Sequence, residues 1–511
     1  MSRIEQSMKN TAASLVIQVG TILLNFVSRT IFIRILGEQY LGINGLFGNI
    51  LNMLSLAELG IGTTITYWLY EPMAKNDQQR LNTLMSVYAK IYNFLGIVIL
   101  LAGLSITPFL EFFMKEVPDI PHIALIYMLY VLKMSLSYFF VYKSTLIDVA
   151  QKAYVTNIVN FISYIITTVV QIVILFATKN YILYFSCAIV FSFSANLIKS
   201  KIAEKMFPFL KTPAKEKLTA TEKVEIKKDV SAIFSHNIGT FVLTSTDNLV
   251  IAKIIGVIEV GIYSNYTMIL NSIQKLLNLI FGSLINSVGN LIYSASKERT
   301  YEVFKNIFFA VSWIVGFCSI CLYTLLNPFI TLWLGERYVF HHYVVLFIVI
   351  NFFLTFIRQP VNNFKHCAGL FRKDKYKPYV ESAINLFVSI WLAKRYGIVG
   401  VFMGTTVSTV VACMYIEPYI LYKYFYEKNV LEYFGMFFKY LLVIILAAAV
   451  IVVCSLPIQK VSIVSFLYQM LLCMTVPNLF FYGFFRKTPE MQYFLELGKK
   501  MINRMKVKFG R

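Results

Sequence analysis

Apolar residues along this chain come in continuous blocks of about 20, and polar residues collect in the gaps between them. The blocks do not alternate apolar with polar positions, as a half-buried strand does. Nor do they confine apolar positions to one stripe, as a soluble amphipathic helix does. Fourteen such segments are legible, near 11–36, 41–69, 85–110, 122–146, 154–177, 181–202, 230–255, 261–292, 304–328, 340–363, 379–396, 398–422, 434–456 and 461–485. At about 1.5 Å rise per residue each approaches or exceeds the length that crosses a bilayer's hydrocarbon core, about 30 Å thick. Lipid offers no partner to a bare backbone, so the pattern predicts an all-α polytopic membrane protein with about 14 transmembrane helices.

One polar stretch interrupts the pattern. Residues 199–229 carry nine lysines, five acids and two prolines. They separate two sets of six segments, with two more segments at the end. Residues 33–51 (IRILGEQYLGINGLFGNIL) align without gaps to 252–270 (AKIIGVIEVGIYSNYTMIL), placing Arg34 on Lys253, Gly37 on Gly256 and Gly42 on Gly261. Both copies run in the same direction after six-segment units, which predicts two parallel-repeat six-helix lobes. The expected organisation is an N-lobe over 1–202, a basic linker over 203–229, a C-lobe over 230–422, and two C-terminal helices with a basic tail over 423–511.

Composition agrees, with 58% hydrophobic residues, a mean hydropathy of +0.67 and 14% charged residues, against about 25% charged in an ordinary soluble protein. The net charge of +21 raises nucleic acid as a partner. Placement of the charges removes that reading. The cations gather in alternate loops (Lys75 and Arg80; Lys143 and Lys152; the linker; Lys297 to Lys305; Arg358 to Lys377), at the N-terminus and in the tail. That is the positive-inside pattern, with both termini expected in the cytoplasm and membrane lipids as neighbours. The seven cysteines are scattered and imply no disulfide framework; Cys318 and Cys321 form a CxxC, but inside an apolar block. The N-terminus leads directly into the first segment, so no cleaved signal peptide is expected.

Charges inside the blocks carry the candidate chemistry. Arg29, Lys133 and Lys275 lie several residues deep, and Arg358 stands at the inner end of the tenth segment. A charge at a helix centre costs about 2.5–3.5 kcal/mol on insertion scales, so it finds a partner or lines a cavity. Two readings stand. One is structural pairing, such as Arg29 with Asp247 or Lys275 with Glu58. The other is a cationic, water-filled cavity between the halves that grips an anion, most naturally a phosphate or pyrophosphate. A second group, Asp247, Glu381, Asn385 and Thr405, mixes carboxylates with neutral oxygens, and Glu381 and Asn385 stand one turn apart in ESAIN. Such oxygens suit Na⁺, or H⁺ on a titrating carboxylate, and they equally suit hydrogen bonds between helices. No other metal and no cofactor is expected. No Walker A motif is present, and the outer loops are too short to build a glycosyltransferase site, so a transporter rather than an enzyme is expected.

The stretches KSTLIDVAQKAYVTNIVNFI (143–162), TDNLVIAKIIGVIEVGIYSNYTMIL (246–270), FGSLINSVGNLIYSASKE (281–298) and RQPVNNFKHCAGLFRKDKYKPYVESAINLFVSIWLAKRYGIVGVFMGT (358–405) resemble the Wzx-type flippases of bacterial polysaccharide synthesis. These belong to the multidrug/oligosaccharidyl-lipid/polysaccharide (MOP) exporter superfamily. The resemblance implies a bacterial cytoplasmic-membrane protein that carries a polyprenyl-pyrophosphate-linked oligosaccharide to the outer leaflet by alternating access. Glycosyltransferases and a polysaccharide polymerase are the implied partners. It favours Arg29, Lys133 and Lys275 as headgroup ligands; Arg358 is a further candidate from its position alone, where an interfacial anchor competes with a ligand contact. The resemblance suggests Asp247, Glu381 and Asn385 as a coupling-ion site, with the helix-11 carboxylate and amide in swapped order relative to lipid II flippases; Glu58 and Thr405 stand beside them as candidate polar-cavity or coupling-ion residues on their own chemistry. A multidrug/cation antiporter of the same superfamily and a non-transporting scaffold for polysaccharide synthesis are the competing readings.

Overall fold

The computed structural model describes the backbone of residues 3–509 apart from 59, 215, 371, 372 and 459. Side chains are described outside 3–16, 56–57, 232, 235–245, 279–280, 282–287, 290, 293 and 500–509, so Arg3, Lys9, Lys215, Arg372 and the tail cations from Lys500 to Arg511 lie outside the described set. The described backbone is helical nearly throughout. In chain order the helices are α1 (Arg3–Leu36), α2 (Glu38–Leu54), α3 (Ile61–Ala74), α4 (Gln78–Ile106), α5 (Ile123–Tyr138), α6 (Val141–Val149), α7 (Ala153–Thr178), α8 (Tyr181–Met206), α9 (Ala220–Val250), α10 (Val257–Ser294), α11 (Lys297–Leu334), α12 (His342–Ile357), α13 (Gln359–Cys367), α14 (Lys377–Tyr396), α15 (Ile398–Ala412), α16 (Ile416–Leu421), α17 (Leu431–Ser455), α18 (Ile463–Phe485) and α19 (Pro489–Phe509).

By length and composition, nine helical stretches among the described residues can cross a membrane, or ten if α5 and α6, bent by 45°, form one span. The expected count of fourteen is therefore not reached on these criteria. Segment 41–69 is two short helices joined by a 3₁₀ turn, Ser55–Glu58. Gly60 holds φ of 91° at this break, and a Cβ there would lie 2.8 Å from the Val230 carbonyl oxygen, so glycine answers both the turn and the close approach of α9. Segment 379–396 is a helix, but Glu381, Lys394 and Arg395 dilute its hydropathy. Segments 230–255 and 261–292 fall in α9 and α10, whose side chains are described in part.

The chain forms two compact units, 1–264 and 265–511, so the boundary falls inside α10. In the first unit α1 packs on α7, α7 on α8, and α5 on α4 and α8, while α9 packs on α2 and α3. Gly42 of α2 and Gly261 of α10, the aligned glycines of the repeat, meet each other. A Cβ on Gly42 would lie 2.1 Å from the Val257 carbonyl oxygen, and one on Gly261 would lie 2.9 Å from the Gly42 nitrogen. Two backbones approach this closely only where neither residue has a side chain.

The described part of the basic linker is docked on the first unit rather than free. Leu218 and Ile226 join the buried core of Leu81, Leu84, Met85 and Tyr88. Arg80 pairs with Glu222, Trp68 donates to Asp229 at 3.0 Å, and Asn82 donates to the Thr212 carbonyl at 2.9 Å. Thr219 and Glu222 form a capping box that starts α9. The Thr219 N–H, which donates to the Glu222 carboxylate, holds that group below the usual carboxylate range, and Arg80 adds to the effect. Burial of a leucine contributes about 1.5–3 kcal/mol, so Leu218→Asp is expected to raise trypsin cleavage within 205–228 about ten- to hundredfold. Unchanged cleavage would show that the linker is not held this way.

In the second unit α11 packs against α12, α17 and α18. Tyr301, Phe304 and Phe308 of α11 meet Tyr422, Tyr426 and Tyr433 in one aromatic cluster. Trp313 stacks on Phe481 of α18, with centroids 5.8 Å apart, and donates to Asn478 at 2.9 Å. The two C-terminal helices are thus part of this unit's core. Helices α14 and α15 form a close hairpin, in which a Cβ on Gly400 would lie 2.2 Å from the Leu392 carbonyl oxygen and one on Gly404 would lie 2.2 Å from Ser389 Oγ.

Candidate functional site

The first unit encloses a polar cavity of about 600 Å³. Its wall is built mainly by two helices whose apolar sequences each carry one polar stripe. On α7 the stripe is Asn160, Ser163, Tyr164, Thr167 and Gln171, at steps of three and four, which is one helix face. On α8 it is Tyr184, Ser192, Asn196 and Lys199. Asn44 from α2, Tyr92 from α4, Lys133, Ser137 and Tyr138 from α5, and Glu58 from the 3₁₀ turn add further polar groups, and Val141, Phe185, Ala188 and Ala195 supply the apolar part of the lining. Apart from Lys133 and Glu58 these residues are absent from the sequence-based candidates. The polar stripes were visible in the sequence at helical spacing. Uncharged polar residues spaced along an apolar block read equally well as hydrogen bonds between packed helices, so the stripes do not by themselves mark a cavity.

Lys133 reaches the cavity with its Nζ 5.1 Å from the centre of the Phe185 ring, and among the described residues it makes no ion pair. Lys199, 8% exposed, closes another part of the wall, with Asp148 in electrostatic reach. The Glu58 carboxylate accepts from Tyr92 Oη at 2.5 Å and from Tyr138 Oη at 2.7 Å. Glu58 also borders a second cavity of about 620 Å³, lined by Gly60, Thr63, Thr66 and Tyr70, so it stands in the partition between the two. Arg29 sits behind the wall. Its Nη1 donates to Ser264 Oγ at 3.1 Å, and Tyr130, Tyr164 and Tyr184 surround it within electrostatic reach. Arg29 forms no ion pair among the described residues, so the bridge to Asp247 that the pairing reading offers is not made. Asp247 lies on α9 with interactions of its own.

The remaining candidates lie in the second unit. Lys275 is exposed on α10 rather than buried. Arg358, expected as a headgroup ligand, is engaged by a partner that sequence reasoning missed. Its Nε and Nη2 donate to the two carboxylate oxygens of Glu417 at 2.8 and 2.7 Å. Lys377 also pairs with Glu417, and Asn362 donates to it at 3.2 Å. Glu417 is 0% exposed, so its charge is met entirely by these donors. Glu381 lies 3.8 Å from Arg358 and accepts from Thr409 at 3.4 Å, while Asn385 donates to Thr405 at 3.0 Å. Glu381, Asn385 and Thr405 therefore lie together along the α14–α15 hairpin; one-turn spacing puts the first two on one face, and the packing of α15 brings Thr405 to them.

The two groups differ in what they offer. The Glu417 cluster is a closed set of two cations and two carboxylates. The first unit's cavity offers open hydrogen-bonding groups and a lysine with no counter-charge.

Comparison with solved structures finds the same fold in a lipid II flippase, MurJ, in an inward closed conformation. The TM-score is 0.62 at 15% identity over 94% of this chain and 99% of that one. It also finds it in an inward-facing multidrug resistance MATE family transporter of the MOP superfamily, with a TM-score of 0.56 at 14% identity over 79% and 95% of the two chains. The MATE multidrug transporter DinF-BH matches with a TM-score of 0.58 at 17% identity over 81% and 94%. These identities show a common fold. No curated protein matches the sequence significantly. The family model for polysaccharide biosynthesis proteins matches residues 7–285, more than half of the 511 residues and most of the cavity-bearing unit. The chain belongs to the polysaccharide biosynthesis protein family.

Proposed function

We propose that this protein is a flippase for polyprenyl-pyrophosphate-linked oligosaccharide repeat units. It moves them from the inner to the outer leaflet of a bacterial cytoplasmic membrane, for a capsule, exopolysaccharide or cell-wall polysaccharide. The observation that carries this reading is a polar cavity inside membrane helices, bordered by Lys133, which pairs with no carboxylate among the described residues. An unpaired cation at this depth is costly, and an anionic ligand offsets the cost. The sugar headgroup cannot cross hydrocarbon unaided, whereas the polyprenyl tail remains in lipid, so the protein needs to enclose the headgroup alone. Family membership and the fold shared with a lipid II flippase support the same cargo class.

Alternating access driven by a Na⁺ or H⁺ gradient fits the side-chain oxygens of Glu381, Asn385 and Thr405 along the α14–α15 hairpin. The loop cations support cytoplasmic termini. Glycosyltransferases would supply the substrate on that side, and a polymerase would consume it on the other. A drug–cation antiporter is disfavoured, because among the described residues Glu58 is the one carboxylate lining the main cavity and two tyrosines already donate to it.

Deleting the gene is expected to trap lipid-linked repeat units on the inner leaflet. This can be measured as loss of their labelling by a membrane-impermeant periodate–hydrazide reagent on intact spheroplasts. Normal labelling in the deletion strain would overturn the flippase reading.

A further inference from the structure

We infer that the first unit's cavity is a saccharide-recognition subsite, in which Asn44, Asn160, Gln171, Ser192 and Asn196 bond the ring substituents of the lipid-linked sugar beside Lys133. This rests on the flippase reading and deepens it, because it says which part of the substrate the cavity reads.

The hydrogen-bonding capacity left open in the wall is the first reason. Asn160 and Ser192 bond to no protein group through their side chains among the described residues. Asn44 accepts from Tyr181 Oη at 2.9 Å through Oδ1, which leaves its amide N–H groups open. Gln171 donates to the Tyr184 carbonyl at 3.1 Å, and Asn196 to the Ser137 carbonyl at 3.5 Å, which leaves both side-chain carbonyls open. The wall therefore presents donors and acceptors together. A sugar hydroxyl both donates and accepts, and an acetamido group has one of each, so either matches such a wall. A phosphate only accepts, and the open carbonyls of Gln171 and Asn196 would face its oxygens unpaired. A cationic centre accepts no hydrogen bond, and it would leave open amide N–H groups that face it without partners.

The second reason is shape. Tyr184 and Phe185 bring aromatic rings to the same wall as the amides. An aromatic face suits the C–H face of a pyranose ring, while the ring's equatorial substituents reach sideways to polar groups. The volume of about 600 Å³ also lies within the ordinary range of small-ligand sites. Lys133 at the edge of this set supplies a positive charge for the anionic group to which the sugar is attached.

The test uses the full-length chain in lipid nanodiscs with two probes, polyprenyl pyrophosphate and polyprenyl-pyrophosphate-linked N-acetylhexosamine. The glycosylated probe is expected to bind at least about tenfold more tightly, since several hydrogen bonds distinguish the two. Asn160→Ala combined with Ser192→Ala is expected to erase most of that difference and to leave the affinity for the bare lipid unchanged. These two side chains hold nothing else in place, so the variant is expected to fold. Lys133→Ala is expected to weaken both probes alike. Equal binding of the two probes by the wild-type chain, or an undiminished difference in the double variant, overturns the saccharide subsite and leaves the flippase reading standing. Failure of both probes to bind overturns the flippase reading, and the subsite with it.

Discussion

Glu417→Ala is expected to cost about 3–5 kcal/mol of stability, the penalty for removing one partner from a buried ion cluster. Glu417 has no solvent exposure and receives both arms of Arg358, the Lys377 ammonium and the Asn362 amide. Without it, the largely enclosed Arg358 and Lys377 are left with one carboxylate between them, Glu381, 3.8 Å from Arg358. The cluster joins the end of α12, the start of α14 and α16, so the loss falls on the second unit as a whole. Thermal unfolding of the purified protein, followed by the near-ultraviolet signal of its aromatic core, measures this. A transition as high as that of the wild type would remove the cluster from the stability of the fold. A compensating variant sharpens the test. Arg358→Met, Lys377→Met, Glu381→Gln and Glu417→Leu together remove two cations and two carboxylates, and they are expected to recover most of the loss because no charge remains unpaired. Arg358→Ala alone is expected to lower stability as Glu417→Ala does. A ligand role of the kind expected from sequence would instead lower transport and leave stability intact.

Lys133→Ala is expected to behave in the opposite way. Translocation of lipid-linked saccharide should fall about tenfold or more, since a hydrogen bond to a charged group contributes about 1.5–3 kcal/mol. Stability should hold or rise, because Lys133 is a largely buried cation with no ion pair and its removal relieves desolvation. Lys133→Arg should retain a measurable part of the activity, and Lys133→Glu should lose more than Lys133→Ala. Proteoliposomes loaded with fluorescent lipid-linked saccharide and sampled by an external quencher report the rate. Wild-type rates in Lys133→Ala at equal protein content would exclude this residue from the site. The pair of variants separates two buried charged sites. One holds the fold and has no counter-charge missing; the other lacks a counter-charge and contributes nothing to the fold.

The helices were legible because they depend on local pattern. Continuous apolar blocks give both the helical class and the membrane class, and α4, α7, α8, α11, α12, α17 and α18 all fall on predicted segments. The break in segment 41–69 was less legible. Its apolar residues continue through the turn, and glycine is needed at Gly60 for a backbone φ of 91° and for the approach of α9, neither of which the apolar pattern shows. Of the candidate site, the Glu381–Asn385 face could be read, because both residues stand on one helix one turn apart. The role of Arg358 could not, because its partner Glu417 lies 59 residues away, on a different helix. Glu58 showed the same limit. Its partners Tyr92 and Tyr138 stand 34 and 80 residues further along the chain, and tyrosines in an apolar block read as ordinary core.

What the sequence by itself determined is whatever follows from neighbours along the chain: helical segments, their affinity for lipid, the cationic loops, and the paired repeat that carries Gly42 and Gly261. The tertiary structure decided which charges are satisfied and which are open. It set Arg358 against Glu417, laid the basic linker on α4 and gathered two uncharged polar stripes around Lys133. The physical reason is that solvation and pairing depend on distances between helices. Side-chain periodicity shows which way a residue faces on its own helix, and it carries no information about what the facing helix presents.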